Sequence, residues 1–348
     1  MNTPEVIEQL RRREDLDRGV AAALMDAIIR GEIGPATLGA ILIALSMKGE
    51  RAEELAGFAE AMRRQAIDPA IDPARHPNLI DTCGTGGDRS GTFNISTASA
   101  IVVAACGVPV VKAGNRSVSS RCGSADVLEV LGIEVSATPE AARRSLDEAS
   151  ITFLFAQAFH PAVKHVAPVR RELGVPTAFN LIGPLSNPAR PRRQVIGVPR
   201  PELTELLAHA SLMLGSERVW VVHGTDGLDE ISTTGRTRIS EGLADPRGGP
   251  GTVRTFDLHP EEVRLPLAQA SDLLGGDAEV NAAIIRRVIE GAGGAPRDIV
   301  CLNAAAALLV AGVVASLPEG LARAAAAIDE GRAAETLVRF RAASGRPS

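Results

Sequence analysis

Along the N-terminal segment, apolar residues recur at helical rather than strand spacing. Val6, Ile7 and Leu10 share one face, and Val20, Leu24 and Ile28 a second. Leu38, Ile41, Leu42 and Leu45 make a third, strongly apolar face, and Leu55, Phe58 and Met62 continue the pattern over 52–64. Local punctuation agrees with four short helices. Thr3-Pro4 predicts a start with the hydroxyl as cap and proline at the first helical position, Gly31 a stop, Pro35 a start and Gly49 a stop. The 38–45 face would suit a partner subunit, although burial in the chain's own core is the commoner fate of such a face.

From Asn78 onward the pattern changes. Apolar runs at 78–81, 108–112, 152–155, 193–198 and 218–223 predict buried strands, and helical segments are predicted at 98–106, 127–131 and 141–149. Strands alternating with helices predict an α/β domain with a mostly parallel central sheet behind a small all-helical N-terminal domain. Extended pieces at 236–240 and 252–258 flank a turn at Gly248-Gly-Pro-Gly251, and alanine-rich helices follow to the C-terminus.

Composition narrows the function classes. At 348 residues the chain is long enough for two domains. A net charge of -5 and the absence of tyrosine argue against a nucleic-acid surface. No apolar run reaches membrane-spanning length and no secretory signal opens the chain, so no membrane role is expected. Cys83, Cys106, Cys122 and Cys301 are scattered, which predicts neither a zinc site nor disulfides and fits a reducing cytoplasm.

Four segments carry chemistry. Asp81-Thr-Cys-Gly-Thr-Gly-Gly-Asp88 follows a strand, and Gly91-Thr-Phe-Asn-Ile-Ser-Thr97 leads into a helix. Glycines let backbone N–H groups approach an anion, and a helix start adds positive potential, so phosphate binding is the expected use. A Walker loop is excluded because no Gly-Lys-Ser/Thr occurs, and a dinucleotide fingerprint because Arg89 stands where its third glycine belongs. Lys112-Ala-Gly-Asn-Arg116 and Ser117-Val-Ser-Ser120, ending in Gly123-Ser124, combine fixed positive charge with small donors after another strand. His223-Gly-Thr-Asp-Gly-Leu-Asp-Glu230 presents adjacent carboxylates after a strand, suited to Mg2+ carried by a diphosphate or simply to solvent. His160 to Arg171, read as one helix, groups Lys164, Pro168 and Arg171 on one face and Val163, Val166, Ala167 and Arg170 on another.

As a set, Gly84-Thr-Gly-Gly-Asp88, Asn94-Ile-Ser-Thr97, Lys112 to Ser124, His160-Pro-Ala, Asn180 to Pro188 and Asp229-Glu230 resemble the anthranilate phosphoribosyltransferase family of nucleoside-phosphorylase-like transferases, in order over most of the chain. The resemblance implies transfer of the 5-phosphoribosyl group from 5-phosphoribosyl 1-diphosphate to anthranilate, the second step from chorismate in tryptophan biosynthesis. It implies that Gly84, Gly87, Asp88, Thr92, Asn94, Ile95, Ser96, Thr97, Lys112, Asn115, Arg116, Ser119, Ser120 and Ser124 surround the donor. Gly84, Asn115 and Arg170 would contact the acceptor, and Ser96, Asp229 and Glu230 would hold two Mg2+ per subunit. It further implies a helical dimerisation domain over 1–70 with a return near 161–185, and a donor-binding domain over 75–160 and 190–345, in a cytoplasmic homodimer. One position departs from the family pattern: Ala113 stands where histidine usually follows the lysine. That departure admits a different aromatic acceptor with the same donor. A related nucleoside phosphorylase and a non-catalytic paralogue that binds a phosphorylated ligand are further alternatives.

Overall fold

A computed structural model describes residues 2–117, 121–136 and 138–345. The chain opens with α1 (Thr3–Arg11), α2 (Arg18–Ile29), α3 (Pro35–Lys48) and α4 (Ala52–Gln65). Then come β1 (Ile80–Gly84), α5 (Ile95–Ala105), β2 (Val110–Gly114), α6 (Ser124–Val130), α7 (Pro139–Ala149), β3 (Ile151–Phe155) and α8 (Ala156–Phe159). After these follow α9 (Ala167–Leu173), α10 (Ala178–Leu185), β4 (Arg193–Gly197), α11 (Leu203–Met213) and β5 (Arg218–Gly224). A hairpin of β6 (Thr237–Leu243) and β7 (Thr252–Leu258) precedes α12 (Ala278–Ile289), α13 (Ala295–Val310), α14 (Leu317–Asp329) and α15 (Arg332–Ser344).

Among the described residues the strands form one seven-stranded sheet in the order β3-β2-β1-β4-β5-β6-β7. The first five are parallel, and the β6–β7 hairpin extends the edge antiparallel. The parallel strands read as continuous apolar runs because both faces are covered. Val195, Trp220 and Val222 enter one core with α5, α6 and α12 to α15, while Ile196, Val219 and Val221 enter a second with α1 to α4, α10 and α11. Leu38, Ile41, Leu42 and Leu45 lie in that second core, at most 3% exposed, so the chain itself covers the apolar face of α3.

Local expectations were off in several places, among them β2, which begins two residues late at Val110, and α5, which begins three residues early at Ile95. Helix α1 begins at Thr3 itself with Asn2 as N-cap residue, so the Thr3 hydroxyl is not the cap; the Asn2 amide instead donates to Glu5 at 2.5 Å. Strand β1 starts two residues late and runs on into the glycine segment, because its parallel ladder with β4 continues to the pair Gly84–Gly197. The His160–Arg171 stretch is not one helix but a 3-10 turn, Pro161–His165, followed by α9. Pro161 opens the 3-10 turn and Pro168 sits at the second position of α9, since neither can donate the bond that would continue the preceding segment. The predicted grouping of Lys164 with Pro168 and Arg171 therefore does not hold.

Candidate active site

Strands β1, β2 and β3 step outward in one direction, and the chain then returns to place β4 on the other side of β1. The strand order reverses at β1/β4, and in open α/β sheets ligands bind beyond the carboxyl ends of strands at such a point. Here both strands end in glycine, Gly84 paired with Gly197. A Cβ on Gly84 would lie 2.6 Å from Asp229 Oδ2, and one on Gly197 would overlap the Asp229 carbonyl. The acidic segment after β5 thus crosses directly over the ends of β1 and β4, where only glycine leaves room. We expect Gly197→Ala to displace Asp229 and abolish turnover. A crystal structure of that variant with the acidic loop unmoved would contradict the packing argument.

This crossing brings the 84–97 stretch and the 229–230 pair together, although they are distant in sequence. The Gly86 N–H donates to Asp229 Oδ2 at 3.1 Å and the Ser96 N–H, in the first turn of α5, to Glu230 Oε1 at 3.0 Å. Gly86 and Gly87 take φ of 67° and 91°, left-handed conformations that glycine adopts without strain. Asp88 holds Ser90 Oγ at 2.6 Å, which in turn lies 3.1 Å from Thr92 Oγ1. Burial pushes the carboxyls of both Asp229 and Glu230 well above the usual range. Negative neighbours add to the rise: Asp88 at Asp229, and Asp229 itself at Glu230. A buried acidic pair whose carboxyls are raised by burial and by each other marks this crossing as a candidate functional site.

Lys112, at the centre of β2 and 3% exposed, supplies positive charge beside Glu230. Its ammonium donates to Ser96 Oγ at 3.2 Å and to the Thr82 carbonyl, and its charge acts on Glu230 and Asp81. Asn115 stands just past β2, its carbonyl accepting from Ser124 Oγ at 3.3 Å, and its side-chain oxygen taking the Arg116 N–H at 2.8 Å. Ser119 and Ser120 lie outside the described residues. Ile95 directs its side chain into the core and Thr97 is 2% exposed, so of these two Ile95 can offer a ligand only main-chain atoms. Arg116 keeps its charge in ion pairs. Its guanidinium binds Glu129 at 2.6 Å and Asp126 at 3.1 Å on α6 and lies 5.6 Å from the Phe155 ring centroid. Ala113 is half-buried, its N–H 3.3 Å from Asp81 Oδ1.

This architecture has close counterparts. Residues 76–334 match the model of the glycosyl transferase family α/β domain, and residues 4–66 that of its helical bundle domain. The anthranilate phosphoribosyltransferase of Moorella thermoacetica is 52% identical over 93% of this chain and 93% of its own length. That of a Methylorubrum extorquens strain is 52% identical over 94% and 95%. The chain belongs to the anthranilate phosphoribosyltransferase family. Among solved structures, anthranilate phosphoribosyltransferase from Thermus thermophilus is 42% identical, covers 97% of this chain and 99% of its own, and superposes with a TM-score of 0.87. The Saccharomyces cerevisiae anthranilate phosphoribosyltransferase in complex with PRPP and Mg is 25% identical, with coverage of 98% and 97% and a TM-score of 0.86.

Within this anthranilate phosphoribosyltransferase scaffold, Arg170 sits on α9, and its side-chain contacts among the described residues are with α10. Its guanidinium stacks 5.5 Å from the Phe179 ring centroid and lies 3.4 Å from Asn180 Oδ1. Burial draws its pKa down, so a carboxylate partner would be welcome there. Helix α10 starts beside this arginine and leads to Asn187, whose amide donates to Asp81 at 2.9 Å and to the Val111 carbonyl at 3.0 Å. The arginine and the sheet are thereby tied through one short helix.

Motif reading missed the residues that brace these loops. Asp226 closes the turn before the acidic pair, accepting from the Leu228 N–H at 3.1 Å, from Ser232 Oγ at 2.5 Å and from the Thr234 hydroxyl. Asn303 on α13 takes the Ile231 N–H at 3.0 Å and returns a bond to the Ile231 carbonyl at 2.9 Å. The available signal was a lone amide within the apolar run from Ile299 to Val310, since a buried amide requires partners.

Proposed function

We propose that this chain transfers the 5-phosphoribosyl group of 5-phosphoribosyl 1-diphosphate to the amine of anthranilate and releases diphosphate, the second step from chorismate in tryptophan biosynthesis. The observation that carries the proposal is the meeting of Asp229 and Glu230 with the Gly86 and Ser96 N–H groups at the β1/β4 switch point. Main-chain donors and Lys112 suit a diphosphate, while two hard, buried carboxylates suit Mg2+. Asp229 and Glu230, with Ser96 beside them, would hold the metal, two ions per subunit in our reading. Bound Mg2+ supplies charge neutralisation for the departing diphosphate. The remaining work falls to the protein. The glycine segment and the first turn of α5 hold the donor in place, and Lys112 keeps Ser96 and the Thr82 carbonyl in register. The acceptor amine is neutral before it attacks C1 from the face opposite diphosphate. Orientation of the two substrates therefore replaces a strong general base.

Arg170 and Asn115 would place the acceptor, Arg170 through its carboxylate. The helical domain would comprise 1–70 with 161–185 and join two copies in a cytoplasmic homodimer, and 75–160 with 190–345 would bind the donor. Mixing the protein with Mg2+, 5-phosphoribosyl 1-diphosphate and anthranilate should quench anthranilate fluorescence. Undiminished fluorescence at high protein concentration would refute the assignment. Arg170→Gln should raise the KM for anthranilate by about 10- to 100-fold, the loss of one charge-assisted contact, and leave the donor KM unchanged. Equal changes in both constants would remove Arg170 from the acceptor side.

A further inference from the structure

Asn281 lies in the first turn of α12, 1% exposed, far in sequence from every loop discussed above. Its Oδ1 accepts the Gly276 N–H at 2.8 Å, closing the turn that precedes the helix. Its Nδ2 donates to Asn94 Oδ1 at 2.9 Å. Asn94 occupies the N-cap position of α5 but makes no capping bond with its side chain. Its Nδ2 instead donates to the Cys122 carbonyl at 3.3 Å, across to the segment that follows β2.

These three bonds form a relay with one allowed direction. At one end stands a backbone N–H, which can only donate; at the other a backbone carbonyl, which can only accept. Between them, each side-chain amide must turn its oxygen toward Gly276 and its nitrogen toward Cys122. Neither can flip without setting two donors or two acceptors against each other, at a site where an unmet polar group is expensive. The orientation of Asn94 is therefore dictated from α12.

The same stretch also grips the backbone next to Asn94. The Gly275 N–H donates to the Gly91 carbonyl at 2.9 Å, the Phe93 N–H to the Leu273 carbonyl at 3.2 Å, and Thr92 bridges to Leu274. A Cβ on Gly275 would stand 2.7 Å from the Phe93 N and Cα and would overlap the Asn281 oxygen. Residues 273–281 thus lie as a splint along the 91–94 segment.

We infer that Asn281 is a positioning residue for the donor. It holds the Asn94 amide with N–H groups turned toward the 115–124 segment, and it keeps the two anion-suited loops in one register. With Asn94 reversed, a carbonyl oxygen would face both the Cys122 carbonyl and an incoming diphosphate, and repulsion would weaken donor binding. The inference rests on the donor assignment made above, which wild-type turnover tests independently.

Asn281→Asp retains an acceptor for Gly276 but can no longer donate to Asn94 as a carboxylate. We expect the donor KM to rise on the order of tenfold, as for loss of one hydrogen bond to a charged group, with the anthranilate KM unchanged. Asn94→Asp, which still accepts from Asn281 but presents no N–H, should show the same pattern. The deciding measurement is a double-mutant cycle read by calorimetric titration of 5-phosphoribosyl 1-diphosphate with Mg2+, no acceptor present. In an Asn94→Ala background, Asn281→Asp should have almost no further effect on donor affinity. An equal loss in both backgrounds would mean that Asn281 supports the fold or alters local charge without acting through Asn94, and would overturn the proposal. So would unchanged donor affinity in Asn281→Asp alone. Wild-type protein that binds the donor but turns over no anthranilate would instead count against the proposed reaction and leave this inference standing.

Discussion

Replacing Asp229 with Asn and Glu230 with Gln together should lower kcat/KM by at least about a thousandfold, since the cation site is lost, while raising the melting temperature of the metal-free protein. The second half follows from burial. Both carboxyls are desolvated and face a negative neighbour, so the fold favours their protonated forms. For a group whose folded pKa is raised, the stabilising contribution is complete below its unfolded value, about 4 for a carboxylate, and is lost as pH rises through the folded value. The metal-free wild type should therefore fall progressively behind the amide variant in melting temperature between about pH 5 and pH 8. Mg2+ with 5-phosphoribosyl 1-diphosphate should close that gap for the wild type alone. A variant that melts lower than wild type throughout, or one that retains Mg2+-dependent turnover, would sink this reading of the pair.

Lys112→Met should cost about 3–5 kcal/mol of folding stability, measured by urea denaturation, because it leaves a buried carboxylate without its counter-charge. Asp81, at 0% exposure, is that carboxylate. Burial raises its pKa, while Lys112 and the Asn187 amide act in the opposite direction. Adding Asp81→Asn should recover part of the loss, with a coupling of about 1–3 kcal/mol. Additive losses would show that Lys112 stabilises the fold through Thr82 and Ser96 rather than through charge. Lys112→Arg should not restore activity: the ammonium sits in a space 3% exposed, bonded to a carbonyl and a hydroxyl, where a planar guanidinium has no room for its fork.

The glycine segment, the Lys112 loop and the acidic pair could be named from sequence because their chemistry is local. Glycine spacing, a charge beside small donors and paired carboxylates each follow a strand, and the strands themselves were apolar runs. Arg116 shows the limit of that reasoning. Its residue type suggested fixed positive charge for a ligand, but not its partners: Glu129 lies one helical turn beyond Asp126 on α6, and both pair with the guanidinium. Asn94 shows another limit: no local pattern showed that its amide, at the N-cap position of α5, would be held by Asn281. The His160–Arg171 faces failed for a local reason, since two prolines in that stretch restart the helix and break its periodicity.

Sequence alone determined the helical start and the α/β body, and singled out three loops whose residue types suit an anionic ligand, because periodicity and local chemistry extend over only a few residues. Only the tertiary structure decided which loops meet. The reversal of strand order sets Gly84 beside Gly197, the absence of two Cβ atoms lets Asp229 cross them, and α12 reaches back to orient Asn94. Most of those relations join residues more than a hundred positions apart, and all follow from sheet order and packing, which no local pattern encodes.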